Sequence, residues 1–483
     1  MSIHDPKALL EELCSETSER EWFEFKKSNF EPEKIGEYVS AISNSCMLLA
    51  RRAGYVVWGV DNKTHEIVGT DVNLKIEKVK GEEFEHWLNK LLKPKVGIEF
   101  HTFWIGGKRV EIIEITPGYE QPVRFLNNAY IRVNSITKRL DEYPQKERTL
   151  WSITSRYSFE DGIAGSHQNI LDIEDSVKVY GLYKMLFPDT RVTTNVIRDL
   201  LSKGLIIDDN QGAFDITNLF ALTAANDISK FTTIANKAPR VTIFNGTSKL
   251  KTKKDIIGKL GYAVGFRKLM KFIMENIPQR EVIEHGIRRK KYEYPEIAIR
   301  EILANALVHQ DFTIDGTHPL VEIFDDKIEI TNAGTPLIDL DRFIDHPSKS
   351  RNEKLTSLFR EIGICETRGS GIDKAIWEIE KENLPPPLFK VVGENTVVTL
   401  YRKRKFAETS KEDRLRACYQ HACIRQQVGD LMSNSSLRDR LGLDKNQYPQ
   451  VSVVIREAIE SDLIRPLSAD QGNRNARYVP FWA

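Results

Sequence analysis

Three acidic residues in the first part of the chain have types and positions that suit metal chemistry. Glu24 lies within WFEFKKS, which alternates with the period of a strand, and Glu19 comes just before it. Asp61 ends the apolar run GYVVWGVD, which predicts a neighbouring buried strand. If the strands pair, three carboxylates converge, as Mg²⁺ or Mn²⁺ requires, and Lys26 could contact a phosphate. The alternative is a solvated strand face with a salt bridge.

A second group of polar side chains recurs at helical spacing. In the helix predicted to begin at Pro295, Glu301, Asn305 and His309 are four residues apart and share one stripe. Asn is a poor residue in a helix interior, so the stripe needs a reason. A nucleotide site supplies one, because Asn can hold Mg²⁺ through its carbonyl oxygen and Glu can orient water or act as a base. The alternative is an exposed polar stripe.

Glycines follow that helix at two places. Asn332-Ala333-Gly334 ends a predicted strand, and Gly369-Ser370-Gly371 comes directly before a predicted helix. Glycines at a helix N-terminus let backbone N–H groups approach phosphates. The glycines and the polar stripe together predict a nucleotide site.

The elements that must position these residues form an α/β multidomain protein. Short strands and helices alternate in the first 160 residues, including a hairpin that turns at Gly106-Gly107. The segment 165–225 reads as two helices and a hairpin, a possible winged helix, and an α/β region follows. Two helices and a hairpin-like wing at the end of the chain are the better winged-helix candidate. We expect domains at 1–160, 161–240, 241–405 and 406–483.

The N-terminal region resembles the Schlafen-type AlbA-like domain over residues 15–140. The stretches EREWFEFKKS, AISN, GYVVWGVD, EIVGT and YIRVNS carry the similarity, although Asn134 stands where the family often has Gly. In Schlafen nucleases two Glu and an Asp form a metal-dependent RNase site for tRNA-like substrates. Carried over, these residues are Glu19, Glu24 and Asp61. Many bacterial relatives are described only as nucleic-acid-binding modules.

Residues 290–402 resemble the GHKL (histidine-kinase-like) ATP-binding fold, in the divergent form found downstream of bacterial AlbA-like domains. The stretches AIREILANALVHQDF, IEITNAG, SKSRNEKL and ETRGSGIDKA carry this similarity. The resemblance makes Glu301 and Asn305 the N-box pair, places Gly334 in the first glycine box, and places Gly369 and Gly371 in the second. Where that fold usually has the Asp that reads adenine, this chain has Asn332. The resemblance therefore implies ATP binding and leaves hydrolysis open.

The bulk composition excludes several classes of protein. With 70 basic and 69 acidic residues the formal net charge is +1, so attraction to nucleic acid must be local. Residues 249–291 hold 13 basic and 4 acidic residues, a net of +9, and residues 401–483 hold 15 and 10, a net of +5. The absence of a run of 18 apolar residues argues against a membrane span, and the absence of a P-loop motif argues against a P-loop motor. The five cysteines are few and scattered, which suits a reducing cytoplasm. We therefore expect a cytoplasmic protein without a membrane partner.

Two functional interpretations follow from these patterns. The first is a metal-dependent endonuclease that acts on RNA or tRNA rather than DNA and is gated by nucleotide binding, with a stress or phage-defence role implied by resemblance alone. The second is an ATP-responsive transcription regulator without catalytic activity. Its DNA reader would be the C-terminal winged helix, with Lys445, Asn446, Gln447 and Gln450 near base edges and Arg474 and Arg477 on the wing. A protein contact is the alternative role for that module, and we expect a homodimer.

Overall fold

The computed structural model describes residues 6–16, 18–51, 53–119, 121–154, 158–188, 196–209, 212–284, 287–347, 349–366, 369–468, 472 and 476–483. The chain forms two compact units, Met1–Tyr157 and Ser158–Ala483, which we call the N-terminal and C-terminal units. Both mix helices with sheets, so the α/β prediction is confirmed. The division into four domains stays a prediction.

The N-terminal unit contains four helices and ten strands among its described residues. The helices are α1 Pro6–Ser15, α2 Pro32–Leu48, α3 Phe84–Leu91 and α4 Pro144–Thr154. The strands are β1 Phe23–Lys26, β2 Gly54–Trp58, β3 Lys78–Val79, β4 Glu82–Glu83, β5 Leu92–Lys93, β6 Ile98–Ile105, β7 Lys108–Ile115, β8 Arg124–Phe125, β9 Asn128–Val133 and β10 Ile136–Arg139.

One four-stranded sheet carries the acidic residues of this unit, in the order β1-β2-β7-β6. β1 and β2 are parallel, with Phe25 beside Val57, and β6 and β7 form an antiparallel hairpin. Gly106 and Gly107 turn that hairpin with φ of 56° and 77°, as a type I′ turn requires. Helix α2 packs Ile35, Val39, Ile42 and Cys46 into the core, because these residues recur every three or four positions on one face.

A second sheet in this unit has the order β10-β9-β8-β5. Asn44 of α2 ties it to the helix: its side-chain amide donates to the carbonyls of Val123 and Tyr130 at 2.9 and 2.8 Å. The Asn44 oxygen accepts from the Val123 N–H at 2.7 Å. One buried amide therefore sets where β9 lies relative to α2.

The C-terminal unit has its described helices at α5 Ile170–Ser176, α6 Val179–Leu186, α7 Val196–Ser202, α8 Asn218–Ala224, α9 Tyr262–Asn276, α10 Glu296–Val308, α11 Glu353–Glu361, α12 Gly371–Lys381, α13 Lys411–Gln427, α14 Asn434–Arg440 and α15 Tyr448–Glu460. Its strands are β11 Ile163–Gln168, β12 Ile206–Asp208, β13 Phe214–Thr217, β14 Arg240–Phe244, β15 Thr252–Ile257, β16 Gln279–Glu284, β17 Ile287–Tyr292, β18 Leu320–Ile323, β19 Lys327–Ala333, β20 Leu388–Val392, β21 Asn395–Tyr401, β22 Ile464–Pro466 and β23 Tyr478–Pro480.

A six-stranded mixed sheet forms the centre of this unit, in the order β15-β14-β18-β19-β21-β20. Its buried side chains share one hydrophobic core with α9, α10 and α12, in which Ile299, Ile302, Leu303 and Ala306 are the apolar face of α10. Because that face is buried, the polar stripe of α10 is directed away from the centre of the core.

The last part of the chain packs α13, α14 and α15 beside the short antiparallel pair of β22 and β23. Val451, Val454, Ile455 and Ala458 of α15 are buried, as the helical spacing predicts. The order of helices and hairpin matches the predicted module, and its assignment as a winged helix stays a prediction. Among the described residues, no helix is long and apolar enough to cross a membrane.

Candidate functional site

Glu24 is buried on β1 and contacts two cationic side chains. Its Oε1 accepts from the Lys26 ammonium at 2.5 Å, and its Oε2 lies 2.6 Å from a guanidinium nitrogen of Arg132. Lys26 also donates to the Tyr38 hydroxyl at 3.1 Å, on α2. The lysine predicted to contact phosphate is therefore held beside the predicted metal ligand.

Glu19 lies beside the same arginine. Its Oε1 accepts from the backbone N–H of Phe25 at 2.8 Å, and its Oε2 is 3.7 Å from Arg132. Burial and the neighbouring Glu24 carboxylate raise the pKa of Glu19 to about 7. The structure thus brings two of the three predicted carboxylates together, and one of them holds its proton near neutral pH.

Arg132 is a residue that the sequence reasoning did not assign to the site. It is fully buried on β9, where the Ser45 hydroxyl accepts from its backbone N–H at 3.0 Å, and its side chain also donates to the Ser135 carbonyl at 2.9 Å. Asn134 makes the following turn with φ of 57°, a conformation that Asn adopts more readily than most residues. The YIRVNS stretch contained the signal, because its arginine occupies an otherwise apolar strand.

Asp61, the third predicted carboxylate, follows β2 and is bound within its own loop. Its Oδ1 accepts from the backbone N–H groups of Lys63 and Thr64 at 2.8 and 3.0 Å. Its Oδ2 pairs with the Lys27 ammonium. The Lys27 ammonium and the two N–H groups hold the pKa of Asp61 well below its usual range.

The described residues fit a divalent cation in part. Glu19 and Glu24 are neighbouring carboxylates, the donor chemistry that Mg²⁺ and Mn²⁺ take. A metal site with three protein ligands needs at least three acidic, His or Cys side chains with their ligand atoms close together. In the described part of the chain, one such group has all its ligand atoms within 4.8 Å of one another, and it does not include Glu19, Glu24 or Asp61. Asp61 therefore does not complete a three-carboxylate cluster with Glu19 and Glu24 as the side chains lie. Glu19 and Glu24 are the pair that would hold the ion.

A cleft in the C-terminal unit is lined by most of the residues predicted to bind nucleotide, and nucleotide binding in it stays a prediction. The residues that were predicted to bind nucleotide and that line this cleft are Glu301, Asn305, His309, Asn332, Gly369 and Gly371. They come from α10, β19 and the start of α12, which are far apart in the sequence. Gly334, the seventh residue predicted to bind nucleotide, directly follows β19. A Cβ at this position would lie only 2.9 Å from the Asp311 Cβ, which is too close for a side chain.

Gly371 has a steric reason to be glycine. A Cβ at this position would lie 2.7 Å from Glu301 Oε2 and 3.8 Å from the Asn305 side-chain nitrogen. The N-terminus of α12 therefore comes directly against the polar stripe of α10. Such a cradle, with backbone N–H groups of a helix N-terminus beside a Glu and an Asn, suits the phosphates of a nucleotide.

The ionisable groups of the cleft are shifted by burial. Burial raises the pKa of Glu301, although Arg300 pairs with it, and burial with the nearby Arg351 and Arg360 lowers the pKa of His309 to about 4. His309 is therefore neutral at pH 7. The asparagine predicted to replace the adenine-reading Asp, Asn332, donates to the Ala333 carbonyl at 3.1 Å.

Cationic side chains also line the cleft, and these were missed as site residues. Arg351 pairs with Asp311 at 2.7 Å and donates to the Thr335 carbonyl at 3.0 Å, and Lys349 and Arg360 join it along the wall. Lys349 and Arg351 belong to the SKSRNEKL stretch, which therefore held the signal for these two residues. Opposite charge is what nucleotide phosphates require.

The basic segments 249–291 and 401–483 are partly paired with acidic side chains of the same unit. Lys291 and Arg280 contact Glu382 at 2.5 and 3.1 Å, and Arg402 donates to Glu293 at 2.7 Å. Strand β15 is exposed along its whole length. At the C-terminal end, Lys445, Asn446 and Gln450 are exposed near the start of α15, and Arg474 lies outside the described residues.

Residues 19–141 match a family model. Its description is Schlafen, AlbA_2, and the matched range includes Glu19, Glu24, Asp61 and Arg132. The chain therefore contains a Schlafen AlbA_2 domain, as the resemblance implied.

A second match covers residues 316–400 and is described as the C-terminal region of a putative ATP-dependent DNA helicase recG. It is the ATPase-like domain implied by the second resemblance. The match includes Asn332, Gly334, Gly369 and Gly371, whereas Glu301 and Asn305 join them through the cleft geometry. The two domains indicate a nucleic-acid-related function, and the ATPase-like domain indicates ATP binding.

No curated protein matches the chain. Among solved structures, the crystal structure of the DIP2311 protein from Corynebacterium diphtheriae is similar at 16% identity and a TM-score of 0.42. The similarity covers 98% of this chain and 96% of that one.

Proposed function

We propose that this protein is a metal-dependent endonuclease, with RNA or tRNA as the favoured substrate, whose activity is controlled by a nucleotide bound in the C-terminal unit. The observation that carries the proposal is the pairing of Glu19 and Glu24 around the buried Arg132, within the Schlafen AlbA_2 domain. Two neighbouring carboxylates, one on β1 and one just before it, are a donor set for Mg²⁺ or Mn²⁺.

In this proposal Glu19 and Glu24 hold the ion. Asp61 joins them when its carboxylate separates from the Lys27 ammonium. A bound Mg²⁺ or Mn²⁺ would supply an activated water and neutralise charge on the phosphodiester. Lys26, whose ammonium already lies at Glu24, contacts a phosphate of the substrate. Arg132 keeps the two glutamates adjacent by attracting both carboxylates.

The nucleotide is held in the cleft of the C-terminal unit. Gly369 and Gly371 leave room for phosphates at the N-terminus of α12, and Arg351 and Arg360 supply positive charge. Asn305 holds the accompanying Mg²⁺ through its carbonyl oxygen, and Glu301 orients water. ATP is the nucleotide that the ATPase-like domain indicates.

The test is RNA cleavage by the full chain with Mg²⁺ or Mn²⁺, with and without ATP. Cleavage should fall roughly 10²-fold or more in Glu24→Gln and Asp61→Asn, because each removes a carboxylate ligand or base. The matched control is Glu66→Gln, which changes an exposed acid in the loop of Asp61. Unchanged cleavage after alanine substitution of Glu19, Glu24 and Asp61 together would sink the proposal.

A second candidate is an ATP-responsive DNA-binding regulator without catalytic activity. The observation that favours it is that Glu19, Glu24 and Asp61 are all paired with Lys or Arg side chains, as in a passive surface. Its DNA reader is the exposed start of α15, with Lys445 and Asn446. Sequence-selective, salt-sensitive duplex binding without RNA cleavage would favour this candidate.

A further inference from the structure

A separate group of metal-ligating side chains lies on the β6–β7 hairpin of the N-terminal unit. Glu99 and His101 are two residues apart on β6, so their side chains share a face of the sheet. Glu114 of β7 is directly opposite Glu99 in the antiparallel register. The backbone therefore presents an imidazole and two carboxylates to one point, and none of them belongs to the nuclease or nucleotide sites above.

The side-chain distances suit coordination. His101 Nε2 lies 3.1 Å from Glu114 Oε2 and 3.7 Å from Glu99 Oε2. One ligand atom of each residue lies within 4.8 Å of the other two. The His101 ring is stacked on Phe103 with an interplanar angle of 10°, which keeps Nε2 directed at the carboxylates.

The antiparallel register places the Glu99 and Glu114 carboxylates opposite each other, and a bound cation would offset their repulsion. Like charges directly opposite each other on neighbouring strands destabilise a sheet. Glu114 is nine-tenths buried, and Glu99 lies directly opposite it on the neighbouring strand. A dication between the two carboxylates turns this repulsion into attraction.

The three side chains also differ in exposure in a useful way. The side chains of His101 and Glu114 are 14% and 10% exposed, whereas Glu99 is 44% exposed. The site therefore has two buried ligands, His101 and Glu114, and one ligand, Glu99, that faces solvent. That opening gives an ion a path of entry and a place for water as the fourth ligand.

We infer that Glu99, His101 and Glu114 bind a divalent transition-metal ion, zinc by preference. An imidazole selects zinc and its neighbours over Mg²⁺ and Ca²⁺, which prefer oxygen alone. One nitrogen and two carboxylate oxygens with a water complete the four ligands that zinc takes. The ion joins β6, the edge strand of its sheet, to β7 and is independent of the cation proposed for Glu19 and Glu24.

The test uses the full chain titrated with Co²⁺, followed by its visible absorption, and then with Zn²⁺ as competitor. We expect a cobalt band without a thiolate charge-transfer band, displaced by one equivalent of zinc. His101→Ala and Glu114→Gln should lose the band and weaken zinc binding at least tenfold, roughly the lower end of the effect of disturbing a metal site. His86→Ala, an exposed histidine paired with Glu82, is the matched control and should keep it.

Two further measurements separate this site from the proposed nuclease site and from misfolding. Glu24→Gln should keep the cobalt band, so loss of RNA cleavage and loss of zinc binding are independent results. The melting temperature of the wild-type chain should rise with zinc, and that of Glu99→Gln, at a half-exposed position, should not. Absence of a cobalt band in the wild-type chain, or its persistence in His101→Ala, would overturn the inference.

Discussion

The buried guanidinium of Arg132 attracts two of the acidic side chains of the N-terminal unit. It is fully buried, and both Glu19 and Glu24 approach it. Taking an arginine out of water is costly unless opposite charge surrounds it. Loss of Glu19 and Glu24 would therefore leave the Arg132 guanidinium without a carboxylate, and loss of Arg132 would leave both carboxylates without this cation.

We expect Arg132→Gln to lower the free energy of unfolding of the N-terminal unit by about 3–5 kcal/mol, because the buried Glu24 and its neighbour Glu19 would both lose the cation they share. Chemical denaturation followed by tryptophan fluorescence measures this. Arg139→Gln is the matched control: Arg139 pairs with Asp141 on an exposed surface, and its loss should change stability by less than about 0.5 kcal/mol. Equal effects of the two substitutions would contradict the interpretation.

Gly371 is the second residue whose type is dictated by its neighbours. Gly371→Ala places a methyl group 2.7 Å from Glu301 Oε2, so α12 or the α10 stripe must move. We expect ATP affinity to fall at least tenfold, or by about 1.4 kcal/mol, measured by calorimetry. Gly165→Ala in the same unit, where a Cβ meets its nearest neighbour at 3.8 Å, should leave affinity unchanged.

The pH dependence of the C-terminal unit should contain a contribution from His309. Its pKa is about 4 in the folded protein against an ordinary value of 6.5, so the unfolded chain takes up this proton first. The stability is fully present above pH 6.5 and is lost as the pH falls from 6.5 towards 4. Between pH 7 and 4.5 we expect a loss of about 2.5 kcal/mol that His309→Gln does not show.

Calorimetric unfolding of the C-terminal unit at several pH values checks this expectation. His346→Gln, at an exposed position of the same cleft, serves as the matched control and should keep the wild-type profile. Parallel profiles for wild type and His309→Gln would show that His309 is protonated at the same pH in the folded and unfolded chains.

At the scale of elements, helix α12 connects two chemically different places. Its first residue, Gly371, lies against Glu301 and Asn305 in the cleft. Its penultimate residue, Glu380, is buried at the other end, where His421 Nδ1 of α13 contacts it at 3.0 Å and Arg440 of α14 at 3.3 Å. The helix has 11 residues, so these two places are about 15 Å apart along its axis.

We expect Glu380→Gln to destabilise the packing of α13 and α14 on α12 by about 3 kcal/mol or more, because Arg440 would remain buried without a carboxylate. Limited proteolysis and denaturation of the full chain measure the effect. Glu378→Gln on the same helix removes only a partly exposed pair with Lys381 and should be within about 0.5 kcal/mol of wild type. If the Glu380→Gln chain resisted proteolysis and denaturation as well as the Glu378→Gln chain, the Glu380 carboxylate would not stabilise the packing of α13 and α14 on α12.

At the scale of the whole molecule, local patterns in the sequence predicted much of what the structure contains. The alternation of WFEFKKS, the apolar run at β2, the Gly106-Gly107 turn and the four-residue spacing of Glu301, Asn305 and His309 are all encoded by neighbours in the chain. Those patterns predicted the elements and six residues that line one cleft.

What the sequence could not supply depends on side chains that meet from distant positions. Arg132 reaches Glu24 from more than 100 residues away, and Lys27 rather than Glu24 lies beside Asp61. The Glu99–Glu114 register required knowledge of the strand pairing across Gly106-Gly107. In each case the composition of the local segment was compatible with several partners, and only tertiary packing selected one.

The largest-scale consequence concerns communication along α12 within the C-terminal unit. A nucleotide bound at Gly371, as proposed above, would contact one end of this helix, whose other end is paired with His421 and Arg440 through Glu380. A ligand that restricts one end of a helix can also reduce motion at its other end. We therefore expect α12 to couple the cleft to the C-terminal helices.

Hydrogen exchange of the full chain with and without ATP tests that coupling. We expect ATP to slow exchange in α10 and α12 and also in α13 and α14, which do not supply the cleft residues named above. In Glu380→Gln, binding should still slow exchange in α10 and in the first turn of α12, but the effect on α13 and α14 should disappear. Protection confined to the cleft in the wild-type chain would mean that the C-terminal helices do not sense the nucleotide. Equal protection of α13 and α14 in both chains would mean that the signal does not pass through Glu380.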